Sequence, residues 1–133
     1  MTDVGRLAIY DQDGLGLSFD LRDVLRVLAP PSLAATWTVR TPDESSFEAM
    51  GAGGARLERW AEVSAQVRGE ELLAVADDTL QVIWGDFAGA LPDELNREWL
   101  IVRAVDSSFF EVETSDEAAI AAIKSSFKDV RVV

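Results

Sequence analysis

Two hydrophobic periods alternate along the chain. Residues 6–11 (RLAIYD) and 15–20 (LGLSFD) alternate apolar and polar positions on either side of Gln12-Asp13-Gly14, which predicts a hairpin. From Leu21 the period lengthens: Leu21, Val24, Leu25 and Leu28 recur at helical spacing behind Asp20, a residue suited to the N-cap, and Pro30 and Pro31 end the run. Residues 34–41 (AATWTVRT), rich in β-branched side chains, read as a strand. Residues 41–55 carry no period and form the softest stretch, with room for a helical turn around Ser46–Met50. Leu57, Trp60, Val63 or Ser64, and Val67 then mark a helix over 56–67 with one buried stripe. Gly69 breaks it, the segment EELLAVADD supplies a second short helix, and residues 79–87 return to strand with Gly85 as a candidate bulge.

The segment 99–117, WLIVRAVDSSFFEVETSDE, predicts a second hairpin whose register can be argued. A three-residue turn, Asp106-Ser107-Ser108, pairs Val105 with Phe109, Ala104 with Phe110, Arg103 with Glu111 and Val102 with Val112. Leu100, Val102, Ala104, Phe110 and Val112 then share an apolar face, and Arg103 meets an opposite charge across the strands. The other face combines Trp99, Ile101, Val105 and Phe109 with Arg103, Glu111 and Glu113. Either the N-terminal hairpin or a helix half covers it, or it is an exposed aromatic and acidic patch that marks an interaction site. Thr114 and Glu117 have capping-box spacing for a helix running to about Phe127, with Ala119, Ile120, Ile123 and Phe127 on one face. DVRVV follows as a strand. The sum is a single α+β domain over residues 1–133, a mostly antiparallel sheet of about five to seven strands packed with three to four helices, with 41–55 as its soft loop.

Charge changes this picture more than composition does. There are 24 acidic and 12 basic residues, a net charge of −12, and the excess is concentrated. Between Gly69 and Glu117 thirteen carboxylates face only Arg97 and Arg103, whereas the rest of the chain is nearly neutral. Such a field repels nucleic-acid phosphates and anionic membranes and attracts basic partners, although acidity also serves solubility alone. No apolar run approaches the roughly 20 residues of a membrane helix, and the N-terminal residues lack the layout of a signal peptide. A soluble cytoplasmic protein, monomeric or homodimeric, is expected. Ten arginines against two lysines, with abundant alanine, suggest a GC-rich bacterial genome.

Histidine and cysteine are both absent, which removes the Ser-His-Asp and Cys-His nucleophile systems, disulfides and the usual zinc ligands. Among 24 acids no pair is marked by a motif as a glycosidase-type acid and base, so no catalytic residue, metal ligand or cofactor is assigned. DQDGLG (11–16) opens like a calcium loop, but its glycine comes at the fourth position and Arg22 stands where the bidentate glutamate belongs. It reads as a turn. GAGGA (51–55) with Arg56 and Arg59 is the one glycine-rich stretch beside basic residues, yet it lacks the lysine and hydroxyl of a phosphate loop. A cleft near Gly51–Arg59 and Trp84 is the small-molecule or enzymatic alternative.

No motif here is specific enough to assign a family. The expectation is a small acidic protein-binding module that is not an enzyme. Its size, acidity and lack of catalytic residues are similar in type to those of immunity proteins, inhibitors that neutralise a basic toxin. A basic protein partner, with neither nucleic acid nor membrane involved, would meet Asp86, Asp93, Glu94, Glu98, Trp99, Arg103, Phe109, Glu111 and Glu113.

Overall fold

The computed structural model describes residues 4–43 and 45–133. Among these, eight strands build one antiparallel sheet: β1 (Gly5–Ile9), β2 (Thr36–Arg40), β3 (Glu48–Met50), β4 (Gln66–Arg68), β5 (Gln81–Ala90), β6 (Leu100–Val105), β7 (Phe109–Thr114) and β8 (Val130–Val132). The helices are α1 (Leu21–Val27), α2 (Pro31–Ala34), α3 (Ala52–Glu62), α4 (Gly69–Asp77) and α5 (Glu117–Ser126). The class is the expected α+β, with one strand and one helix beyond the upper expected numbers. The strand order is β4-β2-β5-β6-β7-β1-β8, and β3 pairs with the first half of β5.

Alternation along each strand sorts the side chains into two layers. Leu7 and Ile9, Trp37 and Val39, Phe87, Leu100, Val102 and Ala104, and Phe110 and Val112 face one side. There they merge with Leu21, Val24 and Leu25 of α1, Leu57 of α3, Leu72 and Val75 of α4 and Ile123 of α5 into one core. Trp37 is fully buried, its indole donating to the Ser32 carbonyl at 2.8 Å, and Gly89 on β5 leaves the space for its ring. The β6–β7 register is the one argued from the turn, Val105 opposite Phe109 through Leu100 opposite Thr114. Asp106 and Ser107 adopt positive φ to make that turn.

Five local expectations are corrected. The helix expected over 56–67 ends at Glu62, and Gln66–Arg68 pairs with β2 as a strand. Residues 15–20 do not form a strand: β1 has β7 on one edge and β8 on the other, so no edge remains for a hairpin partner, and only a Gln12–Leu17 bridge survives. The soft stretch 41–55 shrinks to 41–47, because Glu48–Met50 pairs with β5 as a strand, where a helical turn was expected, and α3 begins at Ala52. Phe47 anchors that strand by packing edge-on against Phe87, ring centroids 5.7 Å apart. The irregularity of β5 lies beside Gly85: Trp84 opposes Glu48 while Val82 opposes Ala49, so β5 carries one extra residue there. Finally, Asp116 caps α5, its carboxylate accepting from the Ala118 and Ala119 amides. Thr114, expected as the cap, instead donates its hydroxyl to the Trp99 carbonyl at 2.7 Å.

Candidate functional site: the uncovered sheet face

Helices α1, α3, α4 and α5 join the core on the same side, so no helix among the described residues covers the opposite face of the sheet. This answers the question raised by the 99–117 segment. The N-terminal strand lies beside β7, within the sheet, and covers nothing.

The strands carry alternating charges across this face, and the register sets them opposite one another. Arg40 on β2 pairs with Asp86 on β5, Asp86 with Arg103 on β6, and Arg103 with Glu111 on β7. The side chains complete what the backbone aligns. Arg40 Nη2 lies 2.7 Å from Asp86 Oδ1, Arg103 Nε 3.3 Å from Asp86 Oδ2, and Arg103 reaches Glu111 and Glu113 at 3.1 Å each. Arg6 on β1 closes the ladder on Glu113 at 3.2 Å, and Arg40 also holds Glu98 at 3.2 Å. Burial works against the charge on Arg103, but its hydrogen bond to Glu113 and the charges of Asp86, Glu113 and Glu111 outweigh it and hold its pKa above the usual arginine value. Burial likewise opposes ionisation of Glu113, and the hydrogen bonds from Arg6 and Arg103 overcome it, leaving the carboxyl below its ordinary range.

Beside the ladder lie two different surfaces. Toward the hairpin turn, Phe109 stacks on Tyr10 with centroids 4.9 Å apart, and the Arg131 guanidinium sits 3.9 Å from the Tyr10 ring centre. Toward the β5–β6 connection, Thr36, Thr38, Ala88 and Ala90 floor a trough of about 370 Å³ walled by Leu95 and Glu98. The loop 91–98 thus leans over one end of the open face and carries Asp93 and Glu94, the latter paired with Arg97 at 3.3 Å.

Of the nine residues expected from sequence, Asp86, Arg103, Phe109, Glu111 and Glu113 share the uncovered face, and Asp93, Glu94 and Glu98 sit on the adjoining loop. Trp99 is the correction. The strand begins at Leu100, and Trp99 packs against the core, meeting Trp37 edge-on at 6.1 Å while its indole donates to Asp116 at 2.8 Å. It ties the loop to α5 and lines, with Ile101 and Glu113, a hollow at the margin of the open face. Arg6, Arg40 and Tyr10 were missed. Arg6 on β1, Arg40 on β2 and Tyr10 just past β1 fit a visible alternation, but which strands lie next to β6 and β7 was not visible.

The glycine-rich alternative has a packing explanation. A Cβ on Gly53 would overlap the Val75 carbonyl oxygen, and one on Gly54 would come within 2.7 Å of the Ala49 backbone. The Gly53 amide already donates to the Asp78 carbonyl at 3.0 Å. The cleft at Trp84 is lined by Pro42, Asp43, Asp86, Arg103 and Val105, and takes nothing from 51–59.

Among the described residues no three acidic side chains converge as metal ligands would, and no helix is long and apolar enough to cross a membrane. Comparison with known proteins finds no matching family model, no similar curated protein and no similar solved structure.

Proposed function

We propose that this chain is a protein-binding module of the immunity or inhibitor type, which presents the uncovered sheet face and the 91–98 loop to a basic protein partner. The observation that supports the reading most is the ladder itself, set on a face that no helix or strand among the described residues covers. Its carboxylates are held in place by neighbouring arginines, so a partner's cations meet acceptors whose ordering is already complete. Ile101, Val105 and Phe109 remain half-exposed around it and supply the apolar contact that anchors an interface. The ladder is close to neutral within itself, four carboxylates against three arginines. Long-range attraction therefore comes from the loop carboxylates and the net charge of −12, and docking from the face.

The experiment is affinity capture from a lysate of the source organism with three baits: the wild type, Phe109→Arg, and the combined Asp93→Asn, Glu94→Gln, Glu111→Gln, Glu113→Gln variant. The expected result is a basic protein held by the wild type at low salt, weakened at high salt and lost from both variants. Retention of the same protein by both variants, with unchanged salt dependence, would sink the reading.

A further inference from the structure

The outer edge of β8 is a second candidate surface. Hydrogen bonds at its two ends fix which of its backbone groups are in use. The Val133 amide donates to the Arg6 carbonyl at 2.9 Å, and the Tyr10 amide to the Asp129 carbonyl at 2.8 Å. Bonded and non-bonded pairs alternate in an antiparallel ladder, so Asp129, Arg131 and Val133 turn their backbone groups toward β1. Val130 and Val132 turn theirs outward. Because β8 is the last strand of the sheet, no strand among the described residues pairs with them. The Val132 side chain beside them is 73% exposed.

A cation on an edge strand ordinarily guards it against pairing. Arg131 is held away from that task. Its guanidinium lies over the Tyr10 ring, toward β1, and donates from Nε and Nη2 to Asp129 at 3.1 Å each. The two side chains thus stand on the open face on either side of Val130, 60% and 47% exposed, within reach of another molecule. Asp129-Val130-Arg131 is also its own complement: read antiparallel about Val130, each acid meets an arginine. The other free edges lack this property. Gln66-Val67-Arg68 of β4 would set glutamine against arginine, and on β3 the Ala49 amide already donates to Glu58 at 3.4 Å.

We infer that β8 is the pairing edge for a second copy of this chain, the two β8 strands running antiparallel with Val130 opposite Val130. The outward amide and carbonyl of Val130 bond across the two-fold axis, and Asp129 of each copy meets Arg131 of the other. The axis stands perpendicular to the sheet, so the helix layers fall on one side and the two uncovered faces lie side by side on the other. So short a strand makes a small interface, and the dimer is weak, with a Kd on the order of 0.1–1 mM. The pairing uses the edge alone and does not rest on the basic-partner reading.

Sedimentation velocity tests this from micromolar to millimolar protein, at about 0.15 M salt so that repulsion between two copies of net charge −12 is screened. The wild type should pass from monomer to dimer across that range. Asp129→Arg and Arg131→Asp, each alone, set like charges opposite one another and should weaken association about tenfold. An equal mixture of the two variants restores opposite charges and should dimerise as the wild type does. Ile101→Thr, three strands away on the open face, should associate unchanged. The wild type also answers without any variant: on concentration the amide NMR shifts of Val130 and Val132 should move while those of Gln66–Arg68 stay in place. A wild type still monomeric at millimolar concentration, or shifts that spare Val130 and Val132, would overturn the assignment. So would a mixture of folded variants that associates no better than either alone, or association lost in Ile101→Thr.

Discussion

The two faces of the sheet are made by the same strands and hold together by different physics. On β6, Leu100, Val102 and Ala104 meet helices, while Ile101, Arg103 and Val105, one residue out of phase, meet water and one another. Burial on the first side removes apolar area from water and scales with volume, so it tolerates no missing atoms. On the second side the charges are partly solvated, which weakens each pair but leaves the arrangement open to exchange with an incoming partner. The helix-covered face therefore carries the stability, and the uncovered face is free to vary in sequence at little cost in folding.

Breaking the covered face should give the largest effect. Trp37→Ala removes the largest fully buried side chain and should cost about 3–5 kcal/mol in urea denaturation. A loss below about 1 kcal/mol would mean that the core is not where the fold is secured.

Next in size is Asp20, the acid that the helix layer buries. Burial raises its pKa from 3.8 to about 6, with the bonds from Val82 and Leu21 opposing. The folded protein thus binds the proton more tightly than the unfolded chain does. The Asp20 contribution to stability is fully present below pH 3.8 and is lost as pH rises to about 6. Against Asp20→Asn, the wild type should lose up to about 3 kcal/mol across that window, read from urea midpoints at a series of pH values. Glu113 on the open face runs the other way: its pKa is lowered, so its contribution is lost as pH falls below the ordinary glutamate value of 4.5. Acid should therefore loosen the ladder while favouring the buried side, and a parallel response of the two faces would erase the distinction.

Arg103→Met sharpens the comparison from the open side. It leaves Asp86, Glu111 and Glu113 facing one another without their central cation, and should cost about 1 kcal/mol at low salt, shrinking as salt screens the repulsion. The smallest effect is expected for Ile101→Thr, a few tenths of a kcal/mol in stability, because the residue sits half-open on a face with no second layer. The same change should weaken capture of the partner under the proposed function.

The hairpin was legible to the residue because its information is local. A three-residue turn and a period of two fix the register, and Arg103 opposite Glu111 confirms it. The edges of the sheet were not legible, because pairing between distant strands leaves no mark on spacing. Nothing in RLAIYD distinguishes a hairpin with the next segment from a place between β7 and β8. Glu48–Met50 and Gln66–Arg68 are three-residue strands, too short for alternation to declare itself. Most of the candidate site followed from β6, β7 and the adjoining loop; Arg6 and Arg40 depended on that distant pairing, and Trp99 was misplaced because the strand begins one residue later than the alternation implied.

The place of β1 between β7 and β8 also has a consequence for how the protein comes into being. Residues 5–9 are made before both of their partners, 109–114 and 130–132. An apolar strand must therefore wait, unpaired on both edges, until those segments are made. Long-range pairing of this kind slows folding and lengthens exposure to aggregation. The waiting strand, RLAI, with arginine at its head, is the segment where nascent chains of this protein should be most open to capture by a chaperone.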